Sequence, residues 1–582
     1  MGFFGPTKSD EEALRQAAPT RESVDGFSVT GSSAYDTADE YETELAHGQR
    51  TRNDPTDEVP EDSTAFGPEK LDQDNAETIS IPDVDSPLGK SDEHPTDVEK
   101  LEPTEPTALL TMHQLDWDSF DDKGNPLNWP TWKKWYITFT TAILCLCVSL
   151  GSSLYVSGVF ELMASTGASR ELCVSGLTFY LVGLAFGPAL AAPISEEFGR
   201  RIVYLVSFPV SMLFTMAIGL SDKIYQILIL RFFCGLLASP ALAVAGGSIN
   251  DVWAPEERGF AMAMFCLAPF LGPVLGPIVG GFASEHKGWK WTMWVSLMFS
   301  GAILPFVLAL PETYKPIILA KRMKKRGIAI YKPPVVQLLK VTMFVTMLRP
   351  MEMLVVEPIV LVWSFYIAFV FAVLFGFFEA FPIIFADEYG MDLGVSGLTF
   401  IGVGIGLILG VIFYVFIDRK AFPINPDGTK GRRDKNGDLI VSKPEVVLGI
   451  GKIGGLCLPI SLFWLAWTGR KSIHWAVPTA SGIPFGFGLI LVFFTNMLYF
   501  SMAFPPSSVA SALGANSFLR YLLASVFPLF VSQMYEKLHI NWATSLFAFI
   551  AVAMLPIPWI FERIGPKLRQ MSKFGYDAQA KK

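Results

Sequence analysis

Beyond residue 135 the chain is built of long uncharged apolar runs separated by short polar connections. Twelve runs can be drawn, at 135–159, 172–194, 202–220, 224–249, 259–283, 290–310, 355–386, 394–417, 446–468, 474–501, 508–533 and 541–561. Each reaches the ~20 residues with which a helix crosses ~30 Å of hydrocarbon. Several hold a proline, at Pro188, Pro240, Pro273, Pro382, Pro459 and Pro528. A soluble helix is strongly destabilised by such a residue, whereas neighbouring helices in a membrane bundle satisfy the freed carbonyls. Residues 1–128 have no sustained apolar period and are rich in Asp, Glu, Pro, Ser and Thr. Such a segment buries too little surface to offset its ordering entropy. The pattern predicts an all-α integral membrane protein, with 12 transmembrane helices behind a disordered acidic N-terminal tail.

The runs fall into two matching sets. Val174-Ser-Gly-Leu-Thr-Phe179 recurs as Val395-Ser-Gly-Leu-Thr-Phe400, and Val182-Gly183 recurs as Val403-Gly404 at the same offset. That offset carries span 2 onto span 8 and span 1 onto span 7. Six plus six helices in parallel halves is one layout of large transporters. The predicted organisation is a tail over 1–128, a six-helix half over 129–311, a basic central loop over 312–350, a pseudo-symmetric second half over 351–562, and a C-terminal tail over 563–582.

Charge sets the expected orientation. Lys and Arg collect in alternate connections: nine in 312–350, seven in 418–444 and six in the C-terminal tail. Basic loops stay on the cytosolic side, so both termini are expected in the cytosol. No apolar signal-peptide core occurs in the first 30 residues, so the first run is expected to be an uncleaved anchor.

Composition agrees and narrows the classes. Hydrophobic residues make up 51% of the chain and charged ones 17%, against about 25% charged in a soluble protein. An ordinary soluble enzyme does not fit. Residues 1–100 carry 25 acidic and 8 basic side chains. That gives no reason to expect nucleic acid as a partner. The six cysteines form no Cys-x-x-Cys pair and the six histidines no cluster. No metal site is therefore expected. Gly402-Val-Gly-Ile-Gly406 and Gly449-Ile-Gly-Lys-Ile-Gly-Gly455 lack the Gly-Lys-Ser/Thr of a phosphate loop. They read as helix packing, and ATP is not expected as the energy source.

The candidate chemistry lies in and beside the spans. The connection after span 2 ends Ser195-Glu196-Glu197-Phe198-Gly199-Arg200-Arg201. Gly199 permits a tight turn, and Glu196, Arg200 and Arg201 could form a latch between the halves. Span 4 holds Arg231 and closes on Asp251. A charge inside a span costs about 2.5–3.5 kcal/mol on insertion scales, so Arg231 should face a polar cavity with a partner. Span 5 places Gly272, Gly276 and Gly280 on one helix face, with Pro273, Pro277 and Gly281 beside them. Small residues at that spacing let helix backbones approach. In span 7, Glu379 is a candidate to take up a proton on one side and release it on the other. Tyr366, Phe381 and Phe385 are expected to line a substrate cavity near it, together with Arg520 and Asn516 of span 11.

These residues resemble those of the major facilitator superfamily, and in particular the fungal twelve-helix drug:proton antiporters of the polyamine and multidrug exporter branch. The likeness covers about 120–575. It rests on Asn125-Pro-Leu-Asn-Trp-Pro130, on 187–201, on Arg231, on the Gly-Pro pairs of 271–281, on Pro311-Glu-Thr-Tyr314, and on Glu357-Pro358, Phe378-Glu-Ala-Phe-Pro382, His474-Trp475 and Ala515-Asn516 with Arg520. The resemblance implies proton transfer involving Arg231 and an antiporter motif in span 5. One departure weighs against a polycation: Ala503 and Pro505 stand where polyamine-exporting relatives often carry an acidic and an aromatic residue.

The expected function is export of small amphipathic molecules, such as drugs, toxins or fungal secondary metabolites, in exchange for protons. Glu379, Arg231 and Asp251 are the expected coupling residues. No cofactor is expected beyond the proton gradient, and no enzymatic activity. The expected setting is the plasma membrane, or alternatively the vacuolar membrane, as a monomer whose partners are the lipid bilayer and a small-molecule substrate. A polyamine exporter and an uptake symporter or facilitator are the alternatives.

Overall fold

The computed structural model describes residues 110–111, 116–119, 121–327, 330–331, 347–421 and 443–576, with single positions at 423, 425 and 431. All belong to one compact unit. Expectations for residues 1–109 and for most of 418–444 lie outside the described residues.

The apolar runs form helices as their length dictates. We number the spanning helices α1 Thr131–Ser153, α2 Arg170–Phe198, α3 Arg200–Leu220, α4 Ile224–Val252, α5 Pro255–Lys287, α6 Trp289–Leu308, α7 Pro358–Phe381, α8 Ile401–Ala421, α9 Leu448–Thr468 and α10 Gly482–Ala503. The last apolar segment, Ser508–Met571, is 64 residues long. At 1.5 Å per residue it would measure about 96 Å, three times the hydrocarbon thickness. It does not cross as one rod, because His539 breaks it at φ 56°. That break gives α11 over 506–538 and α12 over 540–554, which continues into Ile557–Met571. Twelve crossings result, as the apolar pattern predicts. Large apolar side chains such as Leu213, Ile412, Phe416 and Trp542 point outward, as they must where lipid is the solvent.

Two departures from regular helix fall at the functional end of α7 and α8. After Phe381 the chain winds wider, as a π-helix over Pro382–Glu388. Pro382 has no N–H to donate one turn back, which loosens the helix there. Before α8, a short helix Leu393–Leu398 ends at Thr399 and α8 begins two residues later.

The two halves meet along a pair of seams. On one, Thr178 of α2 donates a hydrogen bond to the Ser525 carbonyl of α11 at 2.7 Å, and Phe186 meets Phe518 edge-on at 5.4 Å. On the other, Gly397 lies so close to α5 that an added Cβ would sit 2.2 Å from the Pro277 carbonyl oxygen. Thr178 and Gly397 each fall in a copy of the repeated Val-Ser-Gly-Leu-Thr-Phe segment. The repeat thus marks both seams, one from each half.

Helix α5 is held between this seam and α1. Its glycine face fits a row of serines. A Cβ at Gly272 would lie 2.5 Å from Ser149 Cβ, at Gly276 1.9 Å from Ser153 Oγ, and at Gly280 2.8 Å from Ser157 Oγ. Ser153 also donates to the Gly272 carbonyl at 3.0 Å. Ser149, Ser153 and Ser157 recur every four residues, which matches the glycine spacing and puts small against small.

The tail boundary differs from expectation. Residues before 128 are already packed, because Asp116, Asp118 and Asp122 pair with Lys315 and Arg322 of the helix Lys315–Lys325 that follows α6. Beside it lies the only β-structure among the described residues. It is a parallel pair of two-residue strands, β1 Leu110–Thr111 and β2 Ile330–Tyr331.

The glycine–serine packing makes a direct prediction. Gly276→Ala overpacks the α1–α5 contact and should lower stability by about 1–3 kcal/mol, read as a fall in the melting temperature of detergent-purified protein. Adding Ser153→Gly should restore part of that loss. A G276A variant as stable as the wild type would show that the helices are not in contact there.

Candidate functional site

Charged side chains within the bundle sort into four places. The first lies at the end of the bundle away from the basic connections. Ser169 caps α2 by accepting from the Leu172 amide at 3.3 Å, which fixes Arg170 at the first helical position. From there Arg170 reaches across the seam to Glu379 of α7. Its Nη2 and Nε donate to the same carboxylate oxygen at 2.7 and 3.2 Å. Ser532 of α11 donates to that oxygen at 2.8 Å. Glu379 is 3% exposed, whereas the Arg170 side chain is about a quarter exposed. The pair borders a pocket of about 30 Å³ walled by Phe160, Pro277, Phe378 and Phe400. That volume holds a water or two, not a drug-sized molecule. Around the pair, Gln533 donates to Glu171 at 2.9 Å and the Gly394 amide to Glu285 at 2.9 Å. Both also cross between the halves.

The second place is inside the first half. Arg231 is buried with its donors spent on backbone carbonyls: Nη1 to Gly151 at 2.8 Å, Nε to Gly176 at 3.2 Å and Nη2 to Ser152 at 3.4 Å. Its guanidinium also lies 4.3 Å from the Tyr155 ring centre and 4.5 Å from that of Tyr180. Arg231 borders a small pocket of about 20 Å³ with Ser211, Ser296 and Ser300, but its hydrogen-bond partners are the α1 and α2 backbone rather than a side chain. Arg231 braces three helices.

The third place is the middle of the seam. Arg520 of α11 is 9% exposed and sits among the rings of Phe371, Phe493 and Tyr521, at 5.1, 5.3 and 5.1 Å. Phe270 of α5 packs on Phe371 and Phe493 at 5.8 and 4.8 Å, so the cluster joins both halves. One turn before Arg520, Asn516 accepts from Asn496 Nδ2 at 3.1 Å.

The fourth place is the basic end. Gly199, at φ 95°, makes the sharp α2–α3 turn, a conformation that favours glycine. Glu312 then accepts from the Arg200 and Arg201 amides at 2.9 and 3.2 Å, satisfying the start of α3 with a negative charge where the helix favours one. Arg200 pairs with Asp251 at 3.5 Å, and Thr313 donates to the same Asp251 oxygen at 3.1 Å. Arg200 and Arg201 here hold partners in the first half, so they brace that half internally rather than latch it to the other.

Several expected groupings are not formed. Glu379, Arg231 and Asp251 do not come together; each has its own partners, and Asp251 lies at the opposite end of the bundle from Glu379. Tyr366 precedes Glu379 by thirteen residues, about 20 Å along a helix. Its ring tilts against Trp363 at 6.1 Å, and its hydroxyl is 2.8 Å from where a Gly455 Cβ would sit. Phe381 packs on Phe400 at 4.4 Å and Phe385 on Phe381 at 5.5 Å, within the second half. Arg520 and Asn516 do lie together at the seam. Arg170, Ser532 and the row Ser149, Ser153 and Ser157 were not singled out by sequence, and Glu312 only as part of Pro311-Glu-Thr-Tyr314. Of the first three, only the serines leave a readable signal, their spacing of four.

Two further contacts anchor the chain ends. Buried Glu357, just before α7, accepts from the Ser572 hydroxyl at 2.9 Å and the Lys573 amide at 2.8 Å. At the other terminus, Lys315 holds Asp116 at 2.8 Å, and Arg322 holds both Asp118 and Asp122. The Arg322 hydrogen bond, helped by the Gly124 amide, keeps the Asp122 carboxyl at about 2.

Among the described residues, a bundle of twelve crossings in two six-helix halves, with an ion pair and several hydrogen bonds closing the seam between them, defines a transporter rather than an enzyme. The chain belongs to the Major Facilitator Superfamily, whose profile matches residues 141–528. It is 49% identical to polyamine transporter 4 of Saccharomyces cerevisiae over 542 residues, covering 88% of this chain and 82% of that one. It is 38% identical to the MFS-type efflux pump MFS2 of Trichophyton rubrum over 472 residues, covering 79% and 77%. Among solved structures, the proton:xylose symporter XylE matches with a TM-score of 0.54 at 15% identity, over 75% of this chain and 97% of that one. The protein is thus a multi-pass membrane transporter for small molecules, with fungal drug-transporter relatives.

The clamp on the pre-α1 segment has a defined pH and salt response. Asp122 is depressed from the ordinary carboxylate range, so its contribution is complete above about pH 4 and is lost only as pH falls through about 2. Hydrogen exchange at 116–122 should therefore show a clamp unchanged between about pH 5 and 8. It should loosen in about 1 M salt, which screens exposed pairs. Asp122→Asn should speed exchange at low salt. A clamp that releases near pH 6 would contradict the assignment.

Proposed function

We propose that the protein exports small amphipathic molecules from the cytosol across the plasma membrane in exchange for protons. The observation that carries this reading is the Arg170–Glu379–Ser532 contact, a buried carboxylate closing the seam between halves. Basic connections favour a cytosolic setting for Arg200, Arg322 and both termini. Glu379 then faces the outside. The halves, 129–311 and 351–562, rock about the seam to expose a central site to either face.

In this scheme a proton from outside neutralises Glu379. The charged groups facing it reduce to Arg170 from α2, and Ser532 of α11 supplies the remaining polar contact. Once neutral, the carboxyl no longer holds the guanidinium, the outer end opens and substrate leaves. Deprotonation toward the cytosol restores the pair. Arg231 keeps the α1–α2–α4 group rigid while this happens, and the α1–α5 packing carries the motion as one body. No bound cofactor takes part, and the protein acts as a monomer. One proton crossing 100 mV supplies about 2.3 kcal/mol. At about 1.4 kcal/mol per tenfold, that sustains roughly a fifty-fold gradient of a neutral substrate.

Export of polyamines is the second reading. The identity to a polyamine transporter favours it. The charges at the seam oppose it, because the seam's one buried carboxylate is already held by Arg170.

Flux in sealed vesicles tests the coupling. A compound panel should include a substrate driven against its gradient by an imposed pH difference, and Glu379→Gln should abolish that drive. Flux in E379Q equal to wild type, with the same pH dependence, would remove Glu379 from the coupling.

A further inference from the structure

Two guanidiniums lie buried in the bundle, and they are not treated alike. Arg231 has three carbonyl acceptors and two tyrosine rings. It is neutral in demand: its donors are met by the fold. Arg520 has rings about it, and its Nε–H has no acceptor. Among the described residues no carboxylate pairs with it. Rings accept the face of a guanidinium, but they do not accept its in-plane hydrogen bonds as an oxygen does. The one oxygen contact of Arg520 among the described residues is the Tyr521 hydroxyl, which is uncharged, so the fold answers this guanidinium only in part and leaves the Nε–H free.

Position gives this deficit a meaning. Arg520 lies where α5, α7, α10 and α11 converge, and Phe270 joins the first half to the rings of the second. Midway along the seam is where alternating access requires a substrate to sit. Beside it, the Asn496 Oδ1 also has no partner, and Asn516 is one turn away. The site therefore offers a forked cation, a free amide oxygen that can accept from a donor on the substrate body, and a wall of aromatic rings.

We infer that Arg520 is the anchor for the anionic end of the substrate, and that the substrates are amphipathic organic anions, carboxylates above all. A carboxylate takes two parallel hydrogen bonds from a guanidinium, and the aromatic or aliphatic body lies against Phe371, Phe493 and Phe270. A polyamine, carrying only positive charge, is repelled by the same group. This deepens the exporter reading and rests on it for the direction of movement, but the anion preference itself is a property of binding and needs no gradient.

Equilibrium binding tests it. Purified full-length protein in lipid nanodiscs is titrated with a panel of aromatic carboxylates of graded size, including radiolabelled naphthalene acetate, each beside its isosteric amide, and with spermidine. At least one acid should bind about tenfold or more tighter than its amide, the worth of a hydrogen bond to a charged group. Spermidine should not displace it. Arg520→Gln should erase the acid-over-amide preference, and Arg520→Lys should keep part of it, because the charge remains without the fork. The wild-type comparison stands even where a variant folds poorly. Equal binding of every acid and its amide, displacement by spermidine, or an unchanged preference in R520Q would overturn the proposal. Loss of proton-driven flux with this preference intact would instead count against the export mechanism alone.

Discussion

A charge buried in hydrocarbon must be answered by a partner, and the way this chain answers its few buried charges organises the bundle. Glu379 is met by Arg170 from the other half and by Ser532 from a third helix. The three together tie α2, α7 and α11 at one end. Because Arg170 is about a quarter exposed, the pair is worth less than the 3–5 kcal/mol lost on breaking a fully buried one. That suits the opening proposed for this contact. The charges at the other end, Arg200, Asp251 and Glu312, instead stay within one half and stiffen it. One end has a bond between bodies, and the other has bonds within a body.

Packing supplies what electrostatics does not. In lipid there is no hydrophobic drive to bring helices together, so close approach has to come from small residues. The Gly272, Gly276 and Gly280 face packs closely against Ser149 and Ser153 of α1 and Ser157 just after it. On its other side, α5 meets the helix leading into α8 through Pro277 and Gly397. The glycine motif therefore packs against both α1 and the seam with the second half. The repeated Val-Ser-Gly-Leu-Thr-Phe segment lies at a seam in each half, through Thr178 in one and Gly397 in the other.

The crossings were readable from the chain because hydrocarbon thickness fixes their length, and even the long final run resolves at His539. The parallel halves were readable from one hexapeptide. Partnerships were not. Arg170 lies 209 positions from Glu379 and reads locally as a loop cation at a helix start. Tyr366, Phe381 and Phe385 share α7 and its extension with Glu379, but helical pitch carries Tyr366 about 20 Å away and turns the others into the second half. Arg231 showed its cost but not its remedy, since backbone carbonyls carry no sequence signature. Arg520 and Asn516 were found together because a spacing of four puts them on one face, a feature that survives without knowing the fold.

The central claim is that Glu379 holds the outer end of the two halves closed. The most direct measurement places spin labels at exposed Ser165 and Asp387, one on each half beside the pair, and reads their distance distribution by pulsed electron resonance in nanodiscs. The wild type should give a single short distance, and Glu379→Gln should shift a large share of the molecules to a separation several ångströms longer. An identical distribution in the two proteins would contradict the account.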